Sequence, residues 1–274
     1  MKLAKSLILV SFLVFFWLCD EPTKNKEEPQ DIPPKEINTD NLKILFIGAS
    51  YFSYNNLPGK VQEIAETFNK KVTVETSVLN GTFLHDHTTI DYTINKIKEK
   101  KWDYVILQGV GRLMAYPESS GKNNPYLAIS ELKKMIEENS DNTRIIFCLP
   151  WAFEDGMTWA YEDGDTYEIM QLKVLENTME YSNDLDLIIA PVGWAFYNVM
   201  QENDQLHYLF SYDFNHPSKR GSFLMACVIY STIYMEPVGH LNNQYNIPIT
   251  ELEYLSEIGS STVLDSLEFW NIID

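Results

Sequence analysis

Lys43-Ile-Leu-Phe-Ile-Gly-Ala-Ser50 is the stretch on which the fold is decided. Four large apolar residues in a row, Ile44 to Ile47, suit a strand covered on both faces rather than one with a solvated side. The run breaks at Gly48 and delivers a serine two residues later. Tyr104-Val-Ile-Leu107 and Leu187-Ile-Ile-Ala190 repeat the apolar pattern. With 43–48 as the first, further strand runs lie at 72–78, 103–108, 144–149 and 185–191. Amphipathic helical stretches fall between and after them, at 57–69, 88–100, 125–139, 166–182, 193–203 and 218–235. This alternation predicts an α/β fold: a five-stranded parallel sheet with right-handed crossovers, in a flavodoxin-like three-layer sandwich. Ile249, Leu252, Leu255 and Ile258 have helical spacing, so a tail helix over 249–268 is expected to pack back on the domain.

Parallel sheets bind ligands at the C-terminal ends of their strands. Ser50 follows the first strand, Gly81 the second, and Gln108 ends the third, so the topology brings them to one edge. A second segment near the C-terminus supplies complementary chemistry: Asp213-Phe-Asn-His216-Pro-Ser-Lys-Arg-Gly221, followed by an apolar helix. A serine becomes a nucleophile when a base takes its proton, and an acid three residues before a histidine can fix the ring's tautomer. The chain has only five histidines, which makes an accidental pairing less common. Taken alone, Ser50 also reads as a helix N-cap, Gly81 as an ordinary Asn-Gly turn, Gln108 as a polar strand end, and Asp213 as an Asx-turn acid.

Together, Gly48-Ala-Ser50, the segment Val78-Leu-Asn-Gly-Thr-Phe-Leu-His85, Gln108 and Asp213…His216-Pro…Gly221 resemble the blocks of the SGNH (GDSL-type) hydrolase superfamily, over residues 42–236. The resemblance implies acyl transfer by Ser50, His216 and Asp213 without a cofactor. It places the oxyanion donors at the Ser50 and Gly81 N–H groups and the Gln108 side chain. Two positions depart from the usual pattern. Ala49 stands where the family commonly has an acid, and Gln108 where it has asparagine. A glutamine amide still donates a hydrogen bond, with one methylene more reach.

The segment 151–165 interrupts the strand–helix rhythm after the fourth strand. Trp151, Trp159 and Tyr161 are candidates for an aromatic platform under a sugar ring, Trp151 reading also as a core residue. His85 is a candidate substrate contact beyond Gly81, and His87 reads as part of a solvated turn. The neighbouring acids, Glu154 to Asp165, read as a solvated face and lack calcium-loop spacing.

The chain of 274 residues is 45% hydrophobic and 22% charged, an ordinary globular composition able to bury a core. Its net charge of −18 argues against nucleic acid and anionic lipid as partners and favours a neutral or cationic ligand. Lys2 and Lys5 precede an apolar run from Leu7 to Leu18, too short for a membrane span and suited to a signal peptide over residues 1–19. Cys19 follows as in a bacterial lipobox, although Leu18 stands where a small residue is usual; a simple export signal or an uncleaved anchor is the alternative. Four prolines and alternating charges make 20–41 a tether, leaving 42–274 as the folded domain. Cys148 and Cys227 sit in apolar runs and read as buried thiols, and no metal-ligand spacing is present, so no metal is assigned.

The expected activity is therefore that of an exported serine esterase, anchored through lipid to a bacterial cell envelope. Its expected substrate is a small-molecule or carbohydrate ester, an O-acyl or O-acetyl group on a glycan. Two alternatives stand beside it. Ala49 and Gln108 motivate a non-catalytic glycan-binding lipoprotein on the same scaffold. Gly48-Ala-Ser50 opening a helix would suit a nucleotide or flavin binder, which lacks a phosphate-loop motif here and leaves Asp213 and His216 unexplained.

Overall fold

β1 (Leu42–Gly48) forms the middle of the molecule because six of its seven residues are buried, Lys43 being the exception. The computed structural model describes residues 41–157, 165–202, 208–242 and 245–273. Cys19, the export segment and tether, Trp159 and Tyr161 lie outside these residues. Among the described residues, no helix is long and apolar enough to cross a membrane.

Five parallel strands make one sheet: β1, β2 (Val72–Val78), β3 (Tyr104–Gln108), β4 (Arg144–Cys148) and β5 (Ile188–Ala190), in the order β2-β1-β3-β4-β5. This is the expected flavodoxin-like arrangement. Because the order reverses at β1, right-handed crossovers put successive helices on opposite faces. α2 (Leu57–Thr67) packs with α9 (Lys219–Tyr234), and α4 (Asp91–Glu99) with α6 (Pro125–Asn139).

Local chemistry sets the helix ends. The Asn124 side chain accepts from the Leu127 N–H at 3.2 Å, and Pro125 occupies the first helical turn of α6. Ser218 caps α9 by accepting from the Gly221 N–H at 3.2 Å. α9 is buried from Gly221 to Tyr234, since α2 covers one side and α10 (Ile249–Leu264) another. The tail therefore does pack back, and it goes further. The Ile189 N–H donates to the Trp270 carbonyl at 2.9 Å and Arg144 to the Ile272 carbonyl at 3.0 Å, which covers the β5 edge.

Three boundaries differ from expectation. β5 is shorter than 185–191 because α7 (Tyr167–Leu185) continues until Asp186 adopts a left-handed φ of 50°. The helix expected over 88–100 is α4, shorter at its start, and a separate short helix, α3 (Leu84–His87), precedes it outside that range. A short helix, α5 (Gly111–Ala115), follows β3 without a periodic signal long enough to reveal it. The remaining helices are α1 (Ser50–Ser53) and α8 (Val192–Glu202).

Candidate active site

The turn after β1 is built around close approach. A Cβ on Gly48 would lie 2.6 Å from the Cβ of Gln108 and 2.9 Å from its Oε1, so only glycine lets this side chain lie across the turn. Gln108 Oε1 accepts from the Ala49 N–H at 2.8 Å. That bond fixes the amide with its oxygen toward the backbone and Nε2 on the opposite side. Nε2 makes no hydrogen bond to the described residues, although the residue is only 5% exposed. Ser50 then opens α1, whose first N–H groups have no intrahelical acceptor.

On the other segment, an isolated bridge between Phe210 and Pro217 closes a loop. Inside it the Asp213 carboxylate accepts from the backbone N–H groups of Asn215 at 3.2 Å and His216 at 2.9 Å. Its other oxygen meets His216 Nδ1 at 2.5 Å. His216 Nε2 lies 2.8 Å from Ser50 Oγ. Ser50, His216 and Asp213 thus form one continuous hydrogen-bonded chain. Partial burial pushes the Asp213 carboxyl up, but the two N–H donors and the ring outweigh it and hold the group below its ordinary value. Asp213 stays ionised and holds the proton of the imidazole on Nδ1, which leaves Nε2 free to accept from Ser50.

Aromatic rings fix the imidazole from two sides. Tyr54 stacks on it with centroids 4.2 Å apart, and Tyr51 meets it edge-on at 5.4 Å. Asn215 is held twice: Tyr51 donates its hydroxyl to the side-chain oxygen, and Trp151 Nε1 donates to the carbonyl at 2.9 Å. Asn55 extends the joint by donating to the Pro217 carbonyl at 3.2 Å and to Ser222 at 2.9 Å. The segment after the serine is therefore bonded to the segment carrying the histidine at several points.

Trp151 corrects an expectation. It is 2% exposed, stacks on Phe196 at 4.8 Å, and spends its N–H on Asn215, so its faces cannot receive a sugar ring. Its place is under the loop bearing Asp213 and His216.

His87 is a second correction. It is fully buried rather than solvated. Its Nε2 lies 3.1 Å from both the Gly48 carbonyl and Thr82 Oγ1, and its Nδ1 lies 2.7 Å from Thr93 Oγ1. A carbonyl partner requires the proton on Nε2, so Nδ1 accepts from Thr93, which accepts from Ser77 at 2.8 Å. Burial pushes His87 below the ordinary imidazole value, and the bond to Gly48 pulls back weakly against it. The neutral ring pins both the turn carrying Ser50 and the loop carrying Gly81.

Gly81 has φ +82°, a left-handed conformation, and nothing lies within 4 Å of where its Cβ would be. Glycine is required there by conformation, not by crowding, and the backbone stays open. Ser53, the neighbouring serine, donates to Asn80 at 2.8 Å and ties α1 to this loop. His85 is half-buried on α3, and its ring makes no hydrogen bond to Ser50 or His216 among the described residues. Cys148 and Cys227 are buried and free, and burial pushes both thiols up, Cys227 to about 12. Among the described residues no cluster of His, Cys, Asp or Glu is arranged to hold a metal.

No protein-family model matches the chain, and no curated protein matches it. Solved structures do. A DUF4886 family protein from Bacteroides uniformis superimposes with a TM-score of 0.69 at 17% identity, covering 82% of this chain and 95% of its own. A candidate SGNH hydrolase from Slackia heliotrinireducens gives 0.56 at 21% identity, covering 71% and 100%. The acetylxylan esterase Axe2 from Geobacillus stearothermophilus gives 0.52 at 18% identity, covering 73% and 98%. Likeness at this level of identity establishes architecture, and the architecture is that of the SGNH hydrolases.

Proposed function

We propose that the chain is an exported serine esterase that hydrolyses an O-acyl ester, with an O-acetylated carbohydrate as the leading substrate class. The observation that carries the reading is the unbroken run from Ser50 Oγ through His216 to Asp213, at 2.8 Å and 2.5 Å. In this mechanism Ser50 Oγ attacks the ester carbonyl while His216 Nε2 takes its proton. Asp213 stabilises the imidazolium that results. The tetrahedral oxyanion is met by the Ser50 N–H, the Gly81 N–H and Gln108 Nε2. His216 then protonates the departing alcohol, and a water molecule, deprotonated by the same ring, releases the acid. His85, on the helix beyond Gly81, is the proposed contact to the far part of the substrate. Export and anchoring through Cys19 rest on residues 1–19 alone.

The purified domain should hydrolyse 4-nitrophenyl acetate, and His216→Ala should lower turnover by on the order of 10³-fold or more, because the serine loses its base. A wild-type rate in His216→Ala would remove the catalytic reading and leave a glycan-binding scaffold.

A further inference from the structure

Arginines are scarce in this chain, and two of the three are committed. Arg144 donates to the Ile272 carbonyl and lies over the Tyr104 ring, while Arg220 pairs with Glu251 at 2.5 Å and covers Tyr208. Arg112 differs: it is half-buried, yet it has no ion pair and no hydrogen bond from its side chain to any described residue. Most half-buried lysines are paired with a carboxylate, such as Lys96 with Glu75 at 2.7 Å, while Lys60 lies over the Tyr245 ring. In a chain with 39 acidic residues against 21 basic ones, Arg112 is the one arginine whose guanidinium has neither a carboxylate nor a carbonyl partner among the described residues.

Its place gives the exception meaning. Arg112 lies on α5, four residues beyond Gln108, at the sheet edge that carries Ser50. The preceding Gly111 is pressed onto the Trp151 backbone: a Cβ there would lie 2.0 Å from the Trp151 carbonyl oxygen. The Trp151 ring in turn lies 4.5 Å from that of Tyr51, the residue after Ser50. Burial pushes the Tyr51 hydroxyl upward, and the positive charge of Arg112 is among the groups that pull it back.

We infer that Arg112 is an anion subsite of this active site, and that the ester hydrolysed here carries a carboxylate. This rests on the esterase reading above. A guanidinium accepts a carboxylate through two parallel N–H donors, a geometry that lysine and neutral donors do not offer. The net charge of −18 does not forbid such a ligand. Exposed charges are largely screened beyond about 10 Å at 0.1 M salt, whereas a direct bidentate contact in a partly dry site is not. Long-range repulsion slows the encounter, and the local pair provides the selectivity.

The test compares three esters on the same protein: 4-nitrophenyl acetate, which is neutral; 4-nitrophenyl hydrogen succinate, with the carboxylate on the acyl side; and 4-acetoxybenzoate, with it on the alcohol side. The quantity read is kcat/KM for each carboxylated ester relative to the neutral one. Arg112→Gln should lower this ratio by about 10- to 100-fold for one of the two carboxylated esters, chiefly through KM, which identifies the side that Arg112 serves. Arg112→Lys should restore only part of it, because the fork is lost while the charge remains. Circular dichroism and melting of each variant establish that it is folded. A ratio unchanged for both carboxylated esters would overturn the subsite while leaving the esterase standing. Failure of the wild type to hydrolyse any of the three would instead overturn the esterase reading.

Discussion

In the proposed mechanism Gln108 performs two tasks with one amide. Its oxygen receives the Ala49 N–H at 2.8 Å, which orients its nitrogen as a donor beside the turn carrying Ser50. A single oxyanion donor contributes about 10²- to 10³-fold in turnover, roughly 3–4 kcal/mol. Gln108→Ala should therefore lower kcat by that order and leave KM little changed, since the bond strengthens mainly in the transition state. Gln108→Glu is the sharper variant. It keeps an oxygen for Ala49 and replaces the donor with a carboxylate, so it should be at least as slow. Steady-state kinetics in which Gln108→Glu retains wild-type kcat would remove Gln108 from the oxyanion hole. Ser50, Asp213 and His216 were legible at this scale because their meaning is carried by short local spacing and by residue type. Trp151, His87 and Arg112 were not. Whether a tryptophan offers a face, a histidine is neutral in the core, or an arginine lacks a partner depends on what the chain brings beside it.

Among the elements, the turn after β1 and the loop after β2 are joined by His87, and this joint has a pH dependence. His87 is buried neutral, with its value pushed below the ordinary 6.5. The unfolded chain thus binds a proton at higher pH than the folded one does. Its stabilising contribution is complete above about pH 6.5 and is lost as pH falls from there toward the lowered folded value. His87→Gln can still donate to the Gly48 carbonyl but does not titrate. Thermal melting between pH 8 and pH 5 should show wild type losing stability on the acid side more steeply than this variant. Superimposable profiles would show that His87 is not the group responsible. Element positions were largely legible, since continuous apolar runs mark buried parallel strands and capping residues mark helix starts, as at Asn124 and Ser218. The errors fell where a short element or a shared boundary leaves no periodicity: α5, the short α3 ahead of α4, and the end of α7 at Asp186.

At the scale of the whole molecule, the fold's task is to bring together two segments separated by 166 residues, so that Ser50 Oγ and His216 Nε2 lie 2.8 Å apart. The sheet order puts β1 between β2 and β3, which gathers Ser50, Gly81 and Gln108 at one edge. The loop before α9 then brings Asp213 and His216 over them, with Trp151, Tyr51 and Tyr54 as its bed. The central claim is that this assembly makes Ser50 an activated nucleophile. Reaction of the folded protein with a fluorophosphonate, followed by mass mapping of the modified peptide, tests it most directly. The expected result is a single adduct on Ser50, absent in Ser50→Ala and strongly slowed in His216→Ala. An adduct on another serine, or a folded wild-type protein that does not react, would contradict it.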